Sequence, residues 1–75
     1  MNKFAERLRE TLRQSGISQS ELARRLKMSY QGVNDYCTGK NEPPLDTLLK
    51  ISKVLEETVG YLLGEDEFRF DGDAC

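Results

Sequence analysis

The side chains in this sequence that offer chemistry are hydrogen-bonding groups rather than nucleophiles or metal ligands. Tyr30, Gln31, Asn34 and Asp35 fall in one polar band, because Val33 and Tyr36, three residues apart, supply the inward face of the same short helix. An amide donates and accepts at once, so Gln31 and Asn34 can match a paired donor and acceptor, and Tyr30 adds an aromatic edge. Nothing comparable supports catalysis. The chain has no His, no nucleophile set beside a base and no glycine-rich phosphate loop, and so small a bundle offers little pocket. Cys37 and Cys75 lie far apart with no second thiol or His nearby, which argues against zinc. Free thiols in a cytoplasmic chain are the expectation, with one intramolecular disulfide as the open alternative. No cofactor and no metal are expected.

The bulk composition fits such a binding role only once it is divided. The 75 residues make one domain at most, and 37% hydrophobic content with three Phe, three Tyr and no Trp suits a compact helical bundle. No apolar run is long enough for a membrane span, and the opening residues do not read as a secretory signal. The net charge is −2, yet residues 1–40 carry eight basic side chains against four acidic, a balance of +4. Residues 41–75 carry three against nine, a balance of −6. Local field rather than net charge draws a partner, so the N-terminal half can attract a polyanion; the alternative is a solvated surface of mixed charge.

Five helices must position these groups. Phe4, Leu8 and Leu12, with Ala5, mark a first amphipathic helix over about 2–15, capped by Asn2 and ended by Gly16. Ser18 and Glu21 form a capping box, and Ile17 and Leu22 a hydrophobic staple, at the start of a short second helix over about 19–26. Its buried stripe is Leu22, Ala23 and Leu26. Ser29 caps a third helix from about Tyr30 to Cys37, closed by Gly39. Asn41 to Pro44 is a loop, since paired prolines cannot sit inside a helix. A fourth helix starts at Pro44 or Leu45, with Asp46 near its positive end and Leu45, Leu48, Leu49, Ile51, Ser52 and Leu55 at helical spacing. Thr58 caps a fifth, bearing Val59, Leu62 and Leu63 and closed by Gly64. The domain is therefore 1–64. Residues 65–75 read as an acidic tail or linker, in which Phe68 and Phe70 share one face if extended.

Set end to end, Gln19-x-Glu21-Leu22-Ala23-x-x-Leu26-x-x-Ser29-x-x-x-Val33-x-x-Tyr36-x-x-Gly39-Lys40 places two short helices across a three-residue turn. Together with Pro-Leu-x-Thr-Leu in the fourth helix and Tyr-Leu-Leu-Gly in the fifth, the pattern resembles the phage-repressor and Cro type of helix-turn-helix DNA-binding domain over roughly residues 3–64. The resemblance implies an all-α, compact five-helix lambda-repressor-like fold whose third helix enters the major groove. It implies that Tyr30, Gln31 and Asn34 face base edges, where an amide suits adenine and a tyrosine edge a thymine methyl. Asp35 is set aside as a base reader, because a carboxylate accepts only from cytosine and is repelled by phosphates. Phosphate contacts are implied at Gln19 and Ser29, at Thr38, Lys40 and Asn41, and at Arg9. Arg9 or Arg13 can equally be solvated, and Arg24 and Arg25 divide evenly between steering and solubility.

Three departures from the family pattern carry their own expectations. Leu12 and Cys37 stand where many members pair an Arg with a Glu, so an apolar contact replaces an ion pair and Cys37 is a small buried hydrophobe. Lys27 stands at a turn position that is often Gly, implying a left-handed lysine. Glu56-Glu57 replaces the usual Gly-Val near the family's dimer contact, which puts that geometry in question. The function expected is transcriptional repression in a prokaryotic or phage-encoded setting, by a weak homodimer on a two-fold symmetric double-stranded DNA operator. The rival readings are a protein-interaction module, supported by the acidic half and the tail, and an antitoxin with a protein partner.

Overall fold

The computed structural model of the protein describes residues 2–64. Within them the chain forms α1 (Asn2–Ser15), α2 (Gln19–Leu26), α3 (Tyr30–Thr38), α4 (Leu45–Leu55) and α5 (Val59–Leu63). The side chain of Asn2, read as a cap, and residues 65–75, read as a tail, lie outside the described residues, as does Cys75.

The boundaries follow from side chains that satisfy helix ends. Ser18, Ser29 and Thr58 each accept a hydrogen bond from the backbone N–H three residues on, at Glu21, Gly32 and Tyr61. Left-handed residues close the C-termini: Lys27 after α2, Gly39 after α3, Glu56 after α4 and Gly64 after α5. At Gly64 two demands meet. Its φ is +78°, and a Cβ there would stand 2.9 Å from Cβ of Lys3, so only glycine lets α5 end against α1.

One core joins all five helices. Phe4, Leu8 and Leu12 of α1 meet Leu22, Ala23 and Leu26 of α2, Val33, Tyr36 and Cys37 of α3, Leu48, Ile51 and Leu55 of α4, and Leu62 of α5. The α2–α3 pair packs on itself, on α1 through α3 and on α4 through α2, while α1 also holds α5. Arg7 strengthens that last pairing: its guanidinium lies 4.3 Å from the centroid of the Tyr61 ring and donates to the Tyr61 carbonyl at 3.0 Å.

The fourth helix corrects one expectation. Leu45 and Leu49, read with its apolar face, are 69% and 46% exposed. Leu48, Ile51 and Leu55 already fill the side turned to the core, and Ser52, half-buried, spends its hydroxyl on the Glu57 carbonyl. The six positions cover an arc of roughly 160° at 100° per residue, wider than the core of so small a domain can cover.

Candidate nucleic-acid interface

Two short helices are held rigidly across three residues. Lys27 adopts φ 58° and ψ 45°, and its N–H reaches the carbonyls of Ala23 and Arg24. The N–H of Met28 also binds Ala23 O, at 3.0 Å, and Ser29 then caps α3. The lysine expected in a left-handed turn is found there. Inside this unit Glu21 differs from the reciprocal capping box. Its own N–H donates to Ser18, but its carboxylate is taken by Arg24 and Arg25. Hydrogen bonding from Arg24 first, then Arg25, holds that carboxyl below the usual carboxylate range. Both arginines are exposed and lean back along α2 rather than projecting as free cations.

With Val33, Tyr36 and Cys37 sealed inside, the opposite face of α3 is left open. Tyr30 is 52% exposed at its first position, Gln31 is exposed and Asn34 half-buried, so the three expected base readers share the uncovered side. Ser29 is exposed; its oxygen accepts from Gly32, which leaves its O–H to donate elsewhere. Thr38 is exposed and donates to the Asp35 carbonyl at 3.3 Å. The N–H groups of Lys40 and Asn41 are spent on that same carbonyl, at 2.9 and 3.3 Å. What the loop after α3 offers outward is therefore the exposed Lys40 ammonium and the second N–H of the Asn41 amide, the first being given to Asp35. Gln19, the first residue of α2, is half-buried, and its Oε1 is covered without a hydrogen-bond partner. Rotating that amide would exchange acceptor for donor at the same spot.

Arg9 takes a place that its sequence position did not reveal. Its guanidinium donates to the carbonyl of Cys37, tying α1 to the C-terminal end of α3, where a cation also complements the helix dipole. It lines one shallow groove with Lys3, Glu6, Thr38 and Gly39, so two expected phosphate contacts, Arg9 and Thr38, share a surface. Cys37 itself is fully buried with Leu12 in the core, a free thiol pushed up from its ordinary pKa by burial, with Arg9 acting weakly the other way. Leu12 and Cys37 are both buried in the one core, and Arg9 adds a main-chain hydrogen bond at Cys37.

Asp35 stands at the centre of the open face. Oδ1 accepts from Gln31 Nε2 at 2.9 Å and Oδ2 from Asn41 Nδ2 at 3.2 Å. Gln31 and Asp35 are four apart on a helix, a spacing at which such side chains meet, and that was the available signal.

Comparison with known proteins agrees with this arrangement. A family model described as Helix-turn-helix matches residues 7–62. The chain is similar to the HTH-type transcriptional regulator ImmR of Bacillus subtilis (strain 168), 36% identical over 64 residues, 85% of this chain and 50% of that protein. It is similar to the SPbeta prophage-derived uncharacterized HTH-type transcriptional regulator YonR of the same organism, 39% identical over 70 residues, 93% of this chain and 65% of that one. The HTH-type transcriptional regulator for conjugative element R391 of Providencia rettgeri is 42% identical over 66 residues, 88% of this chain and 30% of its own length. The chain thus spans less than two thirds of the length of each. No solved structure matches it.

Proposed function

The chain belongs to the helix-turn-helix family of DNA-binding transcriptional regulators, and from that premise we propose that it represses transcription by occupying an operator as a pair of copies. Each copy lays α3 in the major groove and reads base edges with Tyr30, Gln31 and Asn34. Gln19, Ser29, Thr38, Lys40, Asn41 and Arg9 fix it on the phosphates, and two-fold symmetry sets half-sites one helical turn apart. The observation that carries this reading is the open polar face of α3, held by a capped turn on one side and a sealed core on the other. Relatives named for a prophage and for a conjugative element favour the regulator of a mobile element, working in a bacterial cytoplasm.

Binding to duplexes selected from a random pool tests the reading. Gln31→Ala and Asn34→Ala should each weaken the selected site by roughly five- to 150-fold, the worth of about 1–3 kcal/mol, and leave random DNA nearly unchanged. Lys40→Ala should weaken both alike and flatten the dependence on salt. Equal loss on selected and random DNA for Gln31→Ala would remove it from the base readers.

A further inference from the structure

From the hydrogen bonds gathered at Asp35 we infer that this residue, rather than being excluded from the DNA face, determines specificity there: it orients Gln31 and accepts from the N4 amino group of a cytosine. The inference rests on the reading of α3 as the helix in the groove.

Position comes first. Gln31, Asp35 and Thr38 run along the middle of the uncovered side of α3 at spacings of four and three, with Tyr30 and Asn34 on one flank. Asp35 therefore projects beside Gln31 from the middle of that side, one turn before Thr38, where the floor of a groove would lie. Its main-chain carbonyl is fixed as well, by Lys40 N, Asn41 N and Thr38 Oγ1, so the residue is anchored at both ends.

Chemistry then sets what that anchor selects. A carboxylate only accepts, so the amide of Gln31 must turn its NH2 toward Asp35 and its Oε1 away. Which way a glutamine amide points is otherwise ambiguous. Two carboxylate oxygens offer about four lone-pair sites, of which Gln31 and Asn41 fill two. The remaining acceptors, beside Gln31 Oε1, make an edge that wants donors. In the major groove the donors are adenine N6 and cytosine N4; guanine offers N7 and O6, and thymine O4, all acceptors. Adenine sets its N7 acceptor beside its amine, whereas cytosine has no acceptor on that edge, so a carboxylate favours cytosine. The two amide donors offset part of the cost of bringing a negative charge near DNA.

The experiment selects bound duplexes from a random pool with the whole chain and with Asp35→Asn, Asp35→Ala and Gln31→Ala, and measures each variant on random DNA too. The chain itself should enrich a cytosine at one fixed place in each half-site. Asp35→Asn should abandon that cytosine for adenine, which an amide reads, changing discrimination at that place by about tenfold or more. Both Asp35 variants should bind random DNA more tightly, since a negative charge has left the face. A residue that only stabilised α3 would weaken binding without altering the preferred base. If Gln31→Ala changes the selected sequence and neither Asp35 variant does, the inference is overturned while the groove reading stands. If no α3 variant changes it, both fall.

Discussion

At Thr11 a side chain 4% exposed on α1 buries a hydroxyl with no hydrogen-bond partner among the described residues. Leaving such a group unpaired costs about 1–3 kcal/mol, so Thr11→Val, which keeps the branched shape, should stabilise the domain by about 1 kcal/mol. Thermal unfolding should show this as a rise of about 4–8 °C. Cys37 gives the second expectation at this scale. Burial favours its neutral thiol, so the folded chain holds a proton that the unfolded chain releases as pH rises through the ordinary thiol value of 9.0. Stability from this group is present below that pH and declines above it. In a Cys75→Ser background, iodoacetamide should leave Cys37 unmodified at pH 8 until denaturant is added; rapid labelling of folded protein would refute the burial. The cysteine's buried character was legible only through the family resemblance, which sets Leu12 and Cys37 where many members pair an Arg with a Glu. The donation from Arg9 to its carbonyl was not, because a guanidinium 28 residues away that seeks a main-chain oxygen leaves no spacing to read.

Among the elements, the caps were the most legible features, since Ser18, Ser29 and Thr58 act through groups three residues distant, within reach of local sequence. Two C-termini instead carry residues that the backbone disfavours. Lys27 and Glu56 sit at φ 58° and 57°, where a side chain crowds the following carbonyl. Each should gain from glycine by roughly 0.5–1 kcal/mol, the relief of strain being partly offset by the freedom glycine adds to the unfolded chain. Urea unfolding of Lys27→Gly and Glu56→Gly should show higher midpoints with unchanged slopes. A fall in midpoint at either site would mean that its side chain contributes more than the strain it carries. Ser29→Ala points the other way: losing the oxygen that receives the Gly32 N–H should cost about 1 kcal/mol and loosen the first turn of α3, where Tyr30 and Gln31 stand. Ser29→Ala should therefore weaken the selected site through the loosened first turn, and weaken random DNA by a smaller amount through the lost phosphate contact.

For the whole molecule, the helical period identified which helices exist and which faces are apolar, but not how much of each face the domain could cover. That limit is physical: the period is satisfied equally by a core leucine and by one on the flank, and only the packing of α4 against α1, α2 and α5 separates them. Leu45 and Leu49, one turn apart and left in solvent, are the consequence, and they supply an apolar surface that a second copy can bury. The proposed pairing then places no demand on the Glu56–Glu57 segment, where the family's usual contact meets two negative charges. The double variant Leu45→Ser with Leu49→Ser separates the alternatives. Sedimentation equilibrium and titration of duplexes bearing one or two half-sites should show association weakened by about tenfold or more, given roughly 25 cal/mol for each Å² of apolar surface left wet. Affinity for a single half-site should hold, and binding to two should turn from cooperative to independent. Loss on the single half-site would instead assign the leucines to the DNA contact, and no change in either would place the pairing of copies on another face.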